Sequence, residues 1–155
     1  MKNSKGFTLI ELLVVIAIIG ILSSIVLASL NTARGKGTNA AVQTSIAQLR
    51  TQTNLYYNDF GNYGTASANG SAGSCSTLST VFTDSKVKIL VSQIQSNTGN
   101  TAICSNNTGA LGSWTLSAKL PQSIGANKYV CTDANSVTRY GVASPGNVTS
   151  CPASF

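Results

Sequence analysis

Lys5-Gly6-Phe7-Thr8-Leu9-Ile10-Glu11 opens an apolar run that continues to Leu30 and sets a single carboxylate inside it. As a helix, residues 7–30 would reach about 36 Å, more than the roughly 30 Å of a bilayer's hydrocarbon core. A plain membrane anchor has no use for Glu11. A charge inside lipid is costly, so its presence asks for a partner charge supplied later. Lys2 and Lys5 precede the run, and the positive-inside bias places them in the cytoplasm. Arg34 and Lys36 on the far side balance them, so charge by itself does not settle the orientation.

The residues KGFTLIE resemble the leader-peptide junction of type IV prepilins and their secretion-system relatives. The basic leader, the glycine, the phenylalanine and the glutamate all fall at that family's spacing, and the resemblance covers about the first thirty residues. It implies that a membrane peptidase cuts the Gly6–Phe7 bond, that the new Phe7 amine is methylated, and that subunits polymerise through their apolar helices. The implied partners are other copies of the chain in a helical homopolymer, a prepilin peptidase and methyltransferase, an inner-membrane assembly platform and other minor pilins. The implied location is a single-pass membrane protein with a cytoplasmic leader and an exported C-terminal domain, and then a filament at the cell surface. Two blander readings of the segment are a secretory signal cut after Ala28 and a simple anchor. The run exceeds the 7 to 15 residues typical of a signal's apolar region, which argues against the first.

Composition narrows the rest. Ten Lys and Arg against four Asp and Glu give +6, and loss of Lys2 and Lys5 with a leader would leave +4 from side chains. The remaining cations, among them Arg50, Lys86, Lys88, Lys119, Lys128 and Arg139, are scattered, so no dedicated nucleic-acid site is evident. There is no histidine, which removes the commonest general base and metal ligand. The carboxylates Glu11, Asp59, Asp84 and Asp133 lie far apart, and the cysteines have no CxxC spacing. No catalytic residue, metal site or cofactor is therefore expected, and the chain does not read as an enzyme.

Beyond Leu30 the pattern changes. Val42, Ile46, Leu49, Thr53 and Tyr56 recur at steps of four, three, four and three, one stripe of an amphipathic helix. The reading is a single helix whose second half offers one face to a domain. Gly35-Lys36-Gly37 is the natural place for a bend, or for a loop between two helices. Many filament-forming relatives have a proline near the position of Ala28, whereas this chain has none before Pro121, so any helix break must come from these glycines or from Gly20 with Ser23 and Ser24.

Asn58 to Ser74 reads as a long loop. Asp84 can cap a helix bearing Val87, Leu90, Val91 and Ile94, ended at Asn97-Thr98-Gly99. Trp114, Leu116, Ala118 and Leu120 alternate with Thr115, Ser117 and Lys119 as a half-buried strand stopped by Pro121. Two more strands, Lys128 to Thr132 and Val137 to Val142, flank a turn at residues 133–136, and a short one can precede a turn at Asn106-Asn107-Thr108-Gly109. The expected fold class is α+β, an antiparallel meander packed on a long helix, as in pilins. The expected divisions are a leader (1–6), a membrane or filament-core helix (7–30), its amphipathic continuation (31–57) and a globular domain (58–155).

Four cysteines suit an oxidising exterior, and they allow three connectivities. Pairing Cys75 with Cys104 and Cys131 with Cys151 is preferred, because neighbouring pairs close loops that lack regular structure. The sequence leaves three functions open. One is a type IV pilus subunit, in which Glu11 of one copy meets the Phe7 amine of the next. Another is a type II secretion pseudopilin, whose principal family members hold calcium in an acidic C-terminal loop that this chain lacks. The third is a monomeric anchored binding domain, which leaves Glu11 unexplained.

Overall fold

A computed structural model describes residues 6–64, 73–75, 80–99, 102–107, 112–145, 148 and 150–155. Residues 1–5 of the expected leader, residues 65–72 of the loop expected between Asn58 and Ser74, and the end of the turn at Asn106–Gly109 lie outside the described residues, while residues 58–60 of that expected loop are helical. The chain divides into two units, Met1–Gly35 and Lys36–Phe155. Helix α1, Leu9–Phe60, is assigned to both.

Within the first unit the helix is apolar on every side, and every residue from Gly6 to Arg34 is exposed. Such a surface suits lipid or the helices of neighbouring chains. Two of its hydroxyls turn inward: Ser24 donates to the Ile21 carbonyl at 2.8 Å and Thr32 to that of Ala28 at 3.3 Å. Neither needs water for a partner. The structure departs from the expected interruption at residues 35–37, which remain helical. Two glycines weaken a helix by about 1 kcal/mol each relative to alanine, too little to end one with four turns of anchored helix following.

In the second unit the stripe expected from the spacing is the buried face of α1. Val42, Ile46, Leu49 and Thr53 are at most 3% exposed, and Tyr56 packs partly buried against the same core. After α1 come β1 (Gly73–Ser74), a short 3-10 turn at Val81–Thr83, α2 (Ser85–Thr98), β2 (Ile103–Asn107), β3 (Ser113–Ile124), β4 (Asn127–Asp133) and β5 (Thr138–Gly141). The capping residues of α2 are those the sequence points to. Asp84 accepts from the amides of Lys86 and Val87, and Gly99 ends the helix at φ 62°.

The sheet has the order β1-β2-β3-β4-β5, with every neighbouring pair antiparallel, a meander. Trp114, Leu116, Ala118 and Leu120 of β3 join Val130 and Cys104 in a core with α1 and α2. Trp114 sits at its centre, edge-on to Phe82 with ring centroids 5.9 Å apart and to Tyr63 at 6.5 Å.

Three strand expectations need correction. First, β3 is buried on both faces, because Thr115 and Ser117 are covered as well. The C-terminal segment lies over that second face: Thr115 donates to the Val148 carbonyl at 2.6 Å, and Cys151 is bonded to Cys131, the cross-strand partner of Ser117. Second, Pro121 does not stop the strand, which continues to Ile124. Pairing with β4 shifts register between Lys119 and Ile124, and Pro121 falls in that irregularity, a place where a missing N–H does no harm. Asn39 of α1 supports the gap. Its amide nitrogen donates to the Gln122 carbonyl at 2.7 Å and its oxygen accepts from the Gln122 amide at 3.3 Å, replacing the strand partner. β5 is also shorter than expected: Val142 leaves the sheet and its amide donates to the Phe155 carbonyl, while the Phe155 ring sits against Gly141.

Tyr63 yields a pH prediction. Burial, reinforced by Tyr57, holds its phenol above the ordinary tyrosine range, against a smaller opposing influence of the neighbouring Trp114. The folded domain therefore keeps a proton that the unfolded chain loses near pH 10. Stability from this source is complete below about pH 10 and disappears as pH rises through the folded value. Urea unfolding of the 36–155 domain should show this loss, and Tyr63→Phe should flatten it. An unchanged alkaline slope in the variant would contradict the assignment.

Candidate assembly site

Glu11 occupies the third position of α1, directly after the chain enters the helix. Its Oε2 accepts from the Thr8 amide at 2.9 Å and from the Thr8 hydroxyl at 2.6 Å, while the Glu11 amide donates back to Thr8 Oγ1 at 3.3 Å. This is a reciprocal capping box: the Thr8 side chain serves an orphan amide of the first turn, and the glutamate serves the amide of the cap residue. The T-x-x-E spacing of Thr8 and Glu11 is the sequence signal for this cap, which the charge of Glu11 alone does not reveal. The cap fixes where the carboxylate sits, yet its donors are neutral. Among the described residues no ion pair forms to it, and the helix around it is apolar.

Phe7 is 85% exposed, and a Cβ placed on Gly6 would meet no atom within 4 Å. Among the described residues nothing requires glycine at position 6. Thr8 and Glu11, directly after the exposed Gly6 and Phe7, make a short polar head on an exposed apolar helix.

The cysteines lie elsewhere, in the second unit. Cys75 is bonded to Cys104 and Cys131 to Cys151. Cys104 faces the core opposite Leu116, whereas Cys131 faces the other side of the sheet with Ser117. Beside it, Asp133 is 2% exposed and organises two segments. Its Oδ1 accepts from the amides of Asn135 and Val137 at 3.0 and 3.1 Å, and its Oδ2 accepts from the Cys151 amide at 3.0 Å. Sequence reading placed Asp133 in a turn but gave no hint of its hold on the C-terminal segment. Among the described residues no cluster of three or more His, Cys, Asp or Glu could hold a metal ion.

A long N-terminal helix, apolar in its first half, together with an antiparallel meander is a pilin-like α+β architecture. Residues 1–27 match the prokaryotic N-terminal methylation motif, the signature of prokaryotic prepilins. The chain is also 40% identical over 63 residues to the type IV wide pilus major component PilA4 of Thermus thermophilus. That match spans 41% of this chain and 48% of the relative, about half of its length. No solved structure matches the chain.

Proposed function

We propose that the chain is a structural subunit of a type IV pilus, cut between Gly6 and Phe7, methylated on the Phe7 amine, and polymerised through its apolar helix. The observation that carries this reading is the Glu11 carboxylate, held by Thr8 at one depth on a surface otherwise made of Leu, Ile and Val. Glu11 lies four residues beyond Phe7, about 6 Å along a helix. A neighbouring subunit displaced by a similar distance brings its own Phe7 amine to that carboxylate. Each charge is costly alone in a dry helical core, and pairing offsets part of that cost while selecting one stagger. Apolar helices gain little hydrophobic energy on leaving lipid, so side-chain packing carries the association and the ion pair supplies register. A membrane assembly platform would do the work of extraction, and a prepilin peptidase would do the cutting.

Membership of a secretion pseudopilus is the second reading. Calcium sites take six to eight oxygen ligands, several of them carboxylates. The only carboxylate side chain after Asp84 is Asp133, both of whose oxygens are already occupied by backbone amides. That favours the pilus.

Processing is tested on protein recovered from the native host. Intact mass and N-terminal sequence should give a chain starting at Phe7 with one added methyl group, and Gly6→Glu should leave the leader attached. A mature start at Ser29 would instead establish a secretory signal.

A further inference from the structure

Arg50 and Asp59 both lie in the second unit, on α1, and each is left over. The Arg50 Nε is buried without a hydrogen-bond partner among the described residues, although the rest of its side chain is partly open. It borders a cleft of about 120 Å³ whose other polar walls are Gln43, Thr138 and Tyr140. A buried guanidinium nitrogen with nothing to donate to is unfavourable, and a carboxylate is the acceptor that fits its fork.

The chain does not supply that carboxylate from any acidic side chain of its own. It has four acidic residues in all, none of them at a position outside the described residues. Glu11 is taken by Thr8, Asp84 caps α2, and Asp133 holds the turn and Cys151. Asp59 remains: it is exposed and makes no hydrogen bond or ion pair among the described residues. Nine residues separate Arg50 from Asp59, which at about 100° per residue puts them on opposite faces of the helix, roughly 13.5 Å apart along its axis. They cannot meet within one chain. Two complementary groups on opposite sides of one subunit are what a head-to-tail contact requires, and such contacts propagate without closing.

We propose that the Arg50 cleft receives the Asp59 carboxylate of a second copy of this chain. This gives the folded domain its own charge-paired contact in the polymer, separate from the one at Glu11. The inference rests on the pilus reading, and its test separates the two. Sheared surface filament is measured for wild type, Arg50→Asp, Asp59→Arg and the double exchange, at matched expression. Thermal unfolding of each 36–155 domain verifies the fold. Each single reversal should lower filament yield by about tenfold, and the double exchange should restore most of it, because a close interfacial pair is lost and then remade.

In a second arm, a chain carrying both Arg50→Cys and Asp59→Cys is oxidised in filaments. It should give a ladder of covalent multimers that neither single variant gives, since the two positions are too distant to bond within one chain. Wild-type filament with normal yield from both reversals and no ladder would overturn the pair while leaving the pilus reading intact. Absence of wild-type filament would overturn both.

Discussion

Glu11→Ala is expected to leave the 36–155 domain folded and the helix in the membrane, while reducing surface filament by roughly a hundredfold or more. Removing the carboxylate makes the span more apolar, so insertion is no worse. In the polymer, the incoming Phe7 amine would be left in a dry core without a counter-charge, and that penalty recurs at every subunit added. The capping box permits a sharper comparison, because glutamine supports the same cap without the charge. Glu11→Gln should therefore fail nearly as badly as Glu11→Ala, whereas Thr8→Val, which keeps the charge and loses the hydroxyl of the cap, should be milder. Glu11→Asp keeps the charge on a shorter arm and should fall between Ala and wild type. The measurement is sheared filament against membrane-held monomer at matched expression. Near-normal yield from Glu11→Gln would mean that the glutamate acts through its cap, and the register argument would fall.

Asp133→Ala should lower the stability of the 36–155 domain by about 3 kcal/mol, a drop of roughly 10 °C or more in Tm for a domain of this size. Three backbone amides donate to its two oxygens, and a buried donor left without an acceptor costs about 1–3 kcal/mol. The individual penalties will not sum fully, because the Cys151 segment can move and rehydrate. Asp133→Asn separates the two segments: one oxygen can still serve the turn amides, but an NH2 group then faces the Cys151 amide. That variant should keep the turn and loosen residues 148–155. Faster hydrogen exchange there, and easier reduction of the Cys131–Cys151 bond, are the expected readouts. Unchanged protection of residues 148–155 in Asp133→Ala would show that the disulfide alone holds the segment.

Some elements were legible in the chain because their causes are local. An apolar run longer than a bilayer with one carboxylate inside it needs no tertiary information, and the Val42-Ile46-Leu49-Thr53 spacing identifies a face by helical geometry alone. Asp84 and Gly99 bound α2 through bonds made within a few residues. The misreadings at β3 have a different origin. Alternation along one strand reports only one side, and burial of Thr115 and Ser117 depends on a segment more than thirty residues later. Likewise Pro121 ends a strand only if its neighbours need a β partner, and Asn39, eighty-three residues away, supplies the missing hydrogen bonds to Gln122. Asn39 precedes Val42 by three residues, so it extends the apolar stripe by one turn, but a polar residue there does not disclose its target.

The sequence by itself determined the helical spine, its charged head and the α+β class. Cysteine connectivity was decided only by tertiary structure. Four cysteines admit three pairings on entropy alone, and the sheet register removes the ambiguity. Cys104 lies opposite Leu116 and Leu116 opposite Thr132, so Cys131, one residue earlier, points to the other face. With the sheet between them Cys104 and Cys131 cannot meet. Cys75 approaches on the core side and Cys151 on the other, brought there by the amide it gives to Asp133.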